Sequence, residues 1–188
     1  IGGFPHSVFT TLKYVQSGTL NPGLGGTNAV QVFRCNGLYD PDYTGAGHQP
    51  RGFDEWMAIY DHYYVKRAKI VVEFHNGDGS LEVMCGVAVR DDFPTETDPN
   101  DYHEQDSHGR MLGRVGSSHN HAVMTRYYNF SKQNYTKYTD DENKGTATAN
   151  PTEMGYFHLW CGQPWGGDSS NTYYTATIYY SALFTELK

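Results

Sequence analysis

Residues 62–89 read HYYVKRAKIVVEFHNGDGSLEVMCGVAV. In the first half Tyr64, Ala68, Ile70, Val72 and Phe74 share one parity, while Arg67, Lys69 and Glu73 take the other. That is the pattern of a strand with one buried face. NGDGS at 76–80 is headed by Asn-Gly, which predicts a hairpin turn. Leu81, Val83, Cys85, Val87 and Val89 then alternate in a second strand. Two successive half-buried strands, in a chain with 15% aromatic residues and 16 Tyr, point to an all-β fold.

Working outward, six further segments read as strands. Residues 4–18 alternate around Val8, Leu12 and Tyr14, residues 29–36 alternate partially around Val30, Val32 and Phe33, and residues 109–116 form a short strand around Met111, Leu112 and Val115. Residues 123–132 carry Tyr128 and Phe130, and residues 172–186 alternate Tyr174, Ala176, Ile178, Tyr180 and Phe184. Residues 154–162 are apolar on both parities (Tyr156, Phe157, Leu159, Trp160, Cys161), which predicts a strand buried on both faces.

The connections differ in length. Short loops fall at 19–28, 76–80, 117–122 and 163–171, and long ones at 37–61, 91–108 and 133–153. Two interleaved Greek keys place such connections at opposite ends of a sandwich. The expected fold is therefore an eight-stranded jelly-roll sandwich, with strands one, three, six and eight in one sheet. The excursion YDPDYTGAGHQPRGFDEW at 39–56 ends in one short helix between the second and third strands. There Phe53, Trp56, Met57 and Tyr60 fall at i, i+3, i+4 and i+7, a stripe that packs helix on sheet.

The net charge is −7, and residues 91–106, DDFPTETDPNDYHEQD, carry seven acids and no base. This stretch reads as a solvated, lightly ordered loop. It lacks the regular spacing of a calcium loop. Cys35, Cys85 and Cys161 have no close spacing and read as small buried hydrophobes rather than a disulfide or zinc framework. No apolar run approaches the length of a transmembrane helix.

Nine His invite a metal hypothesis. His119 and His121 resemble the opening of a cupin motif, but Met124 and Thr125 stand where that motif needs a Glu. No Gly-x-Ser-x-Gly, His-Glu-x-x-His or phosphate-cradling loop is present, so no catalytic residues and no cofactor are expected. The bases are more informative. Lys13, Lys66, Arg67, Lys69, Arg126 and Lys132 belong to the strands of one expected sheet or its borders. Lys13, Lys66, Arg67 and Lys69 are candidates to face nucleic-acid phosphates, against the alternative of an ordinary solvated face.

Two segments, YDPDYTGAGHQPRGFDEWMAIYDHYYV at 39–65 and YTDDENKGTATANPTEMGYFHLW at 138–160, resemble the capsid proteins of circovirus-like viruses with circular single-stranded DNA. Gly3-Phe4-Pro5 fits the same pattern. The resemblance implies one jelly-roll domain over 1–188 and sixty copies in a small icosahedral shell around single-stranded DNA. It implies residence in the virion, and in the host nucleus during assembly. It also implies a basic N-terminal arm for nuclear targeting and DNA packaging. Residues 1–188 contain no such arm, so it is expected upstream of Ile1. A host receptor is implied but not identified, and membrane insertion is not expected.

By analogy with such shells, Leu24, Asn76, Asp78, His119 and Trp165 are candidate five-fold contacts. Tyr39, Tyr43, His48, Tyr102, Tyr135 and Tyr138 are candidate lateral contacts. A jelly-roll carbohydrate-binding module or lectin is the competing reading.

Overall fold

The computed structural model describes residues 3–188 except 24, 26, 94, 106, 134–136 and 169–170. Leu24 and Tyr135 therefore lie outside the described residues. Among those described, the strands are β1 (Ser7–Leu20), β2 (Ala29–Arg34), β3 (Tyr60–Asn76) and β4 (Val83–Arg90). They continue as β5 (Ser107–Leu112), β6 (His121–Asn129), β7 (Tyr156–Gly162) and β8 (Thr172–Leu187). Two four-stranded antiparallel sheets form, ordered β1-β8-β3-β6 and β2-β7-β4-β5. This is the jelly roll, with strands one, three, six and eight together as expected. Between the sheets lies an apolar core that includes Leu12, Phe33, Ile70, Val72, Phe74, Val87, Leu159, Ile178 and Phe184.

One expectation at 76–80 is overturned. The turn joins β3 to β4, which lie in different sheets, so it is a crossing and not a hairpin. Asn76 explains why. Its side-chain amide donates to the carbonyls of Leu81 and Gly113, and its Oδ1 accepts from the Asp78 N–H. Asp78 Oδ1 in turn accepts from the N–H groups of Ser80 and Leu81. The Asn-Gly-Asp run is used to carry the chain over the sandwich rim.

The parity reading of β3 also needs a correction. A bulge between Val65 and Arg67 leaves Lys66 outside the ladder, where Val65 pairs with Ala182 and Arg67 with Ser181. Upstream of it Tyr63 and Val65 face the core; downstream Ala68, Ile70, Val72 and Phe74 do. Tyr64, read as sharing the face of Ala68, is buried but outside that core cluster. A bulge adds one residue on one strand, which reverses the side-chain phase.

Helix α1 (Phe53–Ile59) stands where the sequence placed it, and Tyr60 begins β3 as its C-cap. Gly52, at φ 88°, makes the left-handed entry. Phe53 and Met57 are buried, Trp56 stacks on Phe184 at 5.7 Å, and the Tyr60 hydroxyl donates to the Pro5 carbonyl at 2.7 Å.

The expectation of a single helix does not hold: α2 (Pro99–Glu104), α3 (Phe130–Gln133) and a 3-10 turn (Asp141–Asn143) lie in the other long connections. The acidic loop is thus partly helical and packed. Asp98 caps α2 by accepting from the Asn100 N–H at 2.8 Å, Pro99 takes the first turn, and Tyr102 is fully buried. The three cysteines are free and buried, as read from the sequence. No helix among the described residues is long and apolar enough to cross a membrane.

Candidate nucleic-acid and subunit-contact surfaces

The outward faces of the two sheets are built differently. On the β2-β7-β4-β5 sheet, one row across the strands reads Val30, Trp160, Gly86 and Gly109. Trp160 is fully buried although it points away from the core. A Cβ on Gly86 would come within 2.5 Å of the indole, and one on Gly109 within 3.1 Å, so the two glycines make the space in which the ring lies. Tyr102 of α2 stacks on this ring at 5.4 Å and 3°, and Trp160 Nε1 donates to Ser107 Oγ at 3.0 Å. The strand 156–162 is buried at every position, as its two-sided apolarity implied, and the excursion 91–106 helps cover its outer side.

Polar groups fix that cover. His158 is buried, with Nδ1 2.9 Å from the Tyr102 hydroxyl and Nε2 3.2 Å from the Asp92 carbonyl oxygen. The arrangement suits the neutral imidazole, whose Nε2–H donates to the carbonyl while Nδ1 accepts from the tyrosine. Burial, and secondarily the Arg90 charge, lower the His158 pKa to about 4. Arg90 pairs with Asp92 and Glu96, both at 2.6 Å. Hydrogen bonds from Arg90 and Gln105 hold the Glu96 carboxyl below its usual value. The acidic stretch is therefore clamped to the sheet by one arginine and one neutral histidine.

The β1-β8-β3-β6 sheet carries no such cover among the described residues. Its corresponding row reads Lys13, Tyr179, Lys69 and Tyr127, alternating cation and aromatic over four strands. Lys13 Nζ lies 5.7 Å from the Tyr179 ring centre; Lys69 Nζ lies 5.8 Å from that of Tyr127 and 6.0 Å from that of Tyr179. Tyr127 is 66% exposed and Tyr179 37%. Over the four rows from Thr11 to Ser17, Lys13, Arg67 and Lys69 face a single carboxylate, Glu73. Beside the row runs a groove of about 490 Å³ lined by Arg67, Lys69, Tyr127, Asn129, Lys132 and Tyr179. Lys13, Arg67 and Lys69 thus share one surface, with Lys66 at its border over the Tyr138 ring at 5.6 Å. Arg126 takes the inward parity and is buried. The two tyrosines were missed as site residues. Their parity, shared with the lysines on paired strands, was the signal available.

The loops expected at one sandwich end do meet there in their described parts. Asn76 N donates to the Asn120 carbonyl, Gly77 N to that of Asn171, and Val115 N to that of Asp78. Trp165 is 66% exposed, and His119 is exposed in its turn. Asn76 is a correction: it is buried and used internally to hold these loops, so its side chain is not presented to a neighbour.

Among the lateral candidates, Tyr39 and His48 are exposed and Tyr138 half-buried. His48 packs on Tyr14 at 4.6 Å. Tyr43 stacks on Phe93 at 3.7 Å and joins the 37–61 excursion to the acidic one. Tyr102 is a further correction, since full burial under Trp160 and His158 assigns it to the interior of its own subunit.

The root of the 37–61 excursion is anchored on Asp42. It accepts from Gln16 at 2.6 Å, from Gln31 at 2.9 Å and from the Thr44 N–H at 2.9 Å. Burial alone would raise its pKa, but these hydrogen bonds outweigh burial and lower it. Arg34 ties the same segment down through the Asp40 and Asp42 carbonyls, at 2.6 and 2.9 Å.

Among the described residues no group of three His, Cys, Asp or Glu side chains converges to hold an ion. His121 stacks on His75 at 5.7 Å, while His119 lies beside Ser118.

No protein-family model matches the chain, and no curated protein matches it. Among solved structures, it is similar to one of Desmodium yellow mottle tymovirus at 14% identity and a TM-score of 0.48, over 100% of this chain and 92% of that one. It is similar to the decameric BFDV capsid protein at 12% identity and a TM-score of 0.45, over 95% and 99%. It is also similar to turnip yellow mosaic virus at 10% identity and a TM-score of 0.45, over 100% and 87%.

Proposed function

We propose that the chain is a viral capsid subunit: a structural, non-catalytic jelly roll that assembles with copies of itself into a closed shell around single-stranded DNA. One observation carries the reading. The subunit covers the outer face of one sheet with its own acidic excursion and, among the described residues, leaves the opposite sheet bare, basic and aromatic. Two faces of opposite charge suit a wall with an outside and an inside, the basic face turned toward an enclosed polyanion. The resemblance of residues 39–65 and 138–160 to circovirus-like capsid proteins supports the same reading. It adds sixty copies, a basic arm beyond Ile1 as the main DNA contact, nuclear assembly and a host receptor.

The short-loop end with Asp78, His119 and Trp165 is the proposed five-fold contact; Leu24 is a further candidate there. Tyr39, Tyr43, His48 and Tyr138 on the long excursions are proposed for lateral contacts; Tyr135 is a further candidate for that role. Negative-stain microscopy with native mass measurement tests the proposal. Sixty copies of a 21.2 kDa chain form spheres on the order of a megadalton, with pentamers as fragments. A clean monomer retained on a glycan column would overturn it in favour of a carbohydrate-binding module.

A further inference from the structure

We infer that the bare face of the β1-β8-β3-β6 sheet is itself a binding platform for single-stranded nucleic acid, with bases stacking on Tyr127 and Tyr179 and phosphates held by Lys13, Arg67 and Lys69. It rests on the shell reading only for the statement that this face looks inward. The binding chemistry belongs to the face.

Three features combine. First, the alternation of Lys13, Tyr179, Lys69 and Tyr127 is fixed by strand register, so cations and rings sit side by side on a rigid sheet. Neighbouring strands are about 4.8 Å apart, which brings every ring within reach of a cation on each adjoining strand. Second, the rings are open. At 5.7–6.0 Å the ammonium groups lie at the outer limit of a cation–π contact. Little holds them there, so a lysine is able to swing to a phosphate and leave its ring to a base. Third, the charge is local. A chain of net charge −7 places Lys13, Arg67 and Lys69 on four rows with one carboxylate, and clamps most of its acidic excursion on the other sheet. Lys132 extends the positive border of the groove.

Aromatic rings next to cations distinguish single strands from duplexes. Phosphates alone attract both, but only unpaired bases expose faces for stacking. A flat sheet surface also lacks the protruding helix or ribbon that enters a duplex groove.

The test is fluorescence anisotropy of labelled dT20, rU20 and a 20-base-pair duplex, each mixed with the 1–188 protein before assembly, over a range of NaCl. The expected result is preferential binding of the single strands. Whichever of dT20 and rU20 binds more tightly identifies the strand the face carries. Removing both rings in a Tyr127→Ala, Tyr179→Ala double variant weakens dT20 binding about tenfold or more, while Tyr127→Phe keeps it. Lys69→Ala makes the dependence of log affinity on log salt shallower by about 0.7. Circular dichroism of each variant reports whether the sandwich is intact.

Equal affinity for duplex and single strand, with no loss in the folded double alanine variant, would overturn the stacking platform. So would failure of the protein to bind any of the three probes. Microscopy of the same samples separates the two proposals: spheres without binding reject the platform and leave the shell, and binding without spheres rejects the shell and leaves the platform.

Discussion

Trp160 and Tyr179 occupy comparable places. Each is an aromatic residue on the outward side of an interior strand of a four-stranded sheet, flanked on both sides by paired strands. Trp160 is fully buried and Tyr179 is 37% exposed. The strands do not explain the difference. Trp160 has Gly86 on one flank with Gly109 beyond it, Val30 on the other, and a helix above it; Tyr179 has lysines on both flanks and no covering segment among the described residues. The fate of an outward aromatic in a jelly roll is thus decided by its cross-strand neighbours. Small neighbours admit a cover, and long charged ones hold the surface open to solvent and to whatever binds there.

The comparison is broken most severely at Trp160. Its replacement by Ala leaves α2 without the surface it packs on and is expected to cost about 3–5 kcal/mol, read as a lower urea midpoint. If the midpoint stays unchanged, α2 is not held by this ring.

Acid attacks the same cover through a different group. His158 is neutral in the folded protein, with a pKa of about 4 against the ordinary 6.5, among Arg90, Asp92, Glu96 and Tyr102. The unfolded chain binds a proton near pH 6.5 that the folded chain refuses until about pH 4. The His158 contribution is therefore complete above pH 6.5 and is lost as pH falls toward 4, amounting to about 3 kcal/mol over that window. Urea titrations from pH 7 to pH 4 check it. A His158→Gln variant is expected to lose this part of the slope while retaining the part due to carboxylates.

The smallest effect belongs to the bare face. Tyr127→Ala removes a far more exposed ring and is expected to change stability by no more than about 0.5 kcal/mol. A loss comparable to that of Trp160→Ala would mean that this face, too, is structurally committed.

Much of this was legible from the sequence, for definable reasons. Apolar patterning placed all eight strands to within a few residues, and the two-sided apolarity of 154–162 announced that something covers its outer side. The covering element itself was hidden, because seven acids within 91–106 mask two buried anchors, Pro99 and Tyr102. Asp98-Pro99 was a readable helix start, outweighed by the charge around it. At 76–80 local turn chemistry pointed to a hairpin. The partners of β3 and β4 are set by tertiary packing, which an Asn-Gly pair does not encode. On the bare face the lysines were recognised by charge. The tyrosines became visible only when the register set Tyr179 between Lys13 and Lys69.

The bulge at Lys66 has a consequence for how this chain tolerates change. It works as a phase adapter between two segments of one strand. The upstream segment, through Tyr63, is keyed to α1 and the 133–153 connection, and the downstream segment to the sandwich core. Val65 and Arg67 pair with the consecutive residues Ala182 and Ser181, so deleting Lys66 would close the ladder with both segments still facing the core. The strand is thus expected to keep its faces after losing that one residue, whereas a second deletion, with no bulge left to absorb it, would turn one segment inside out.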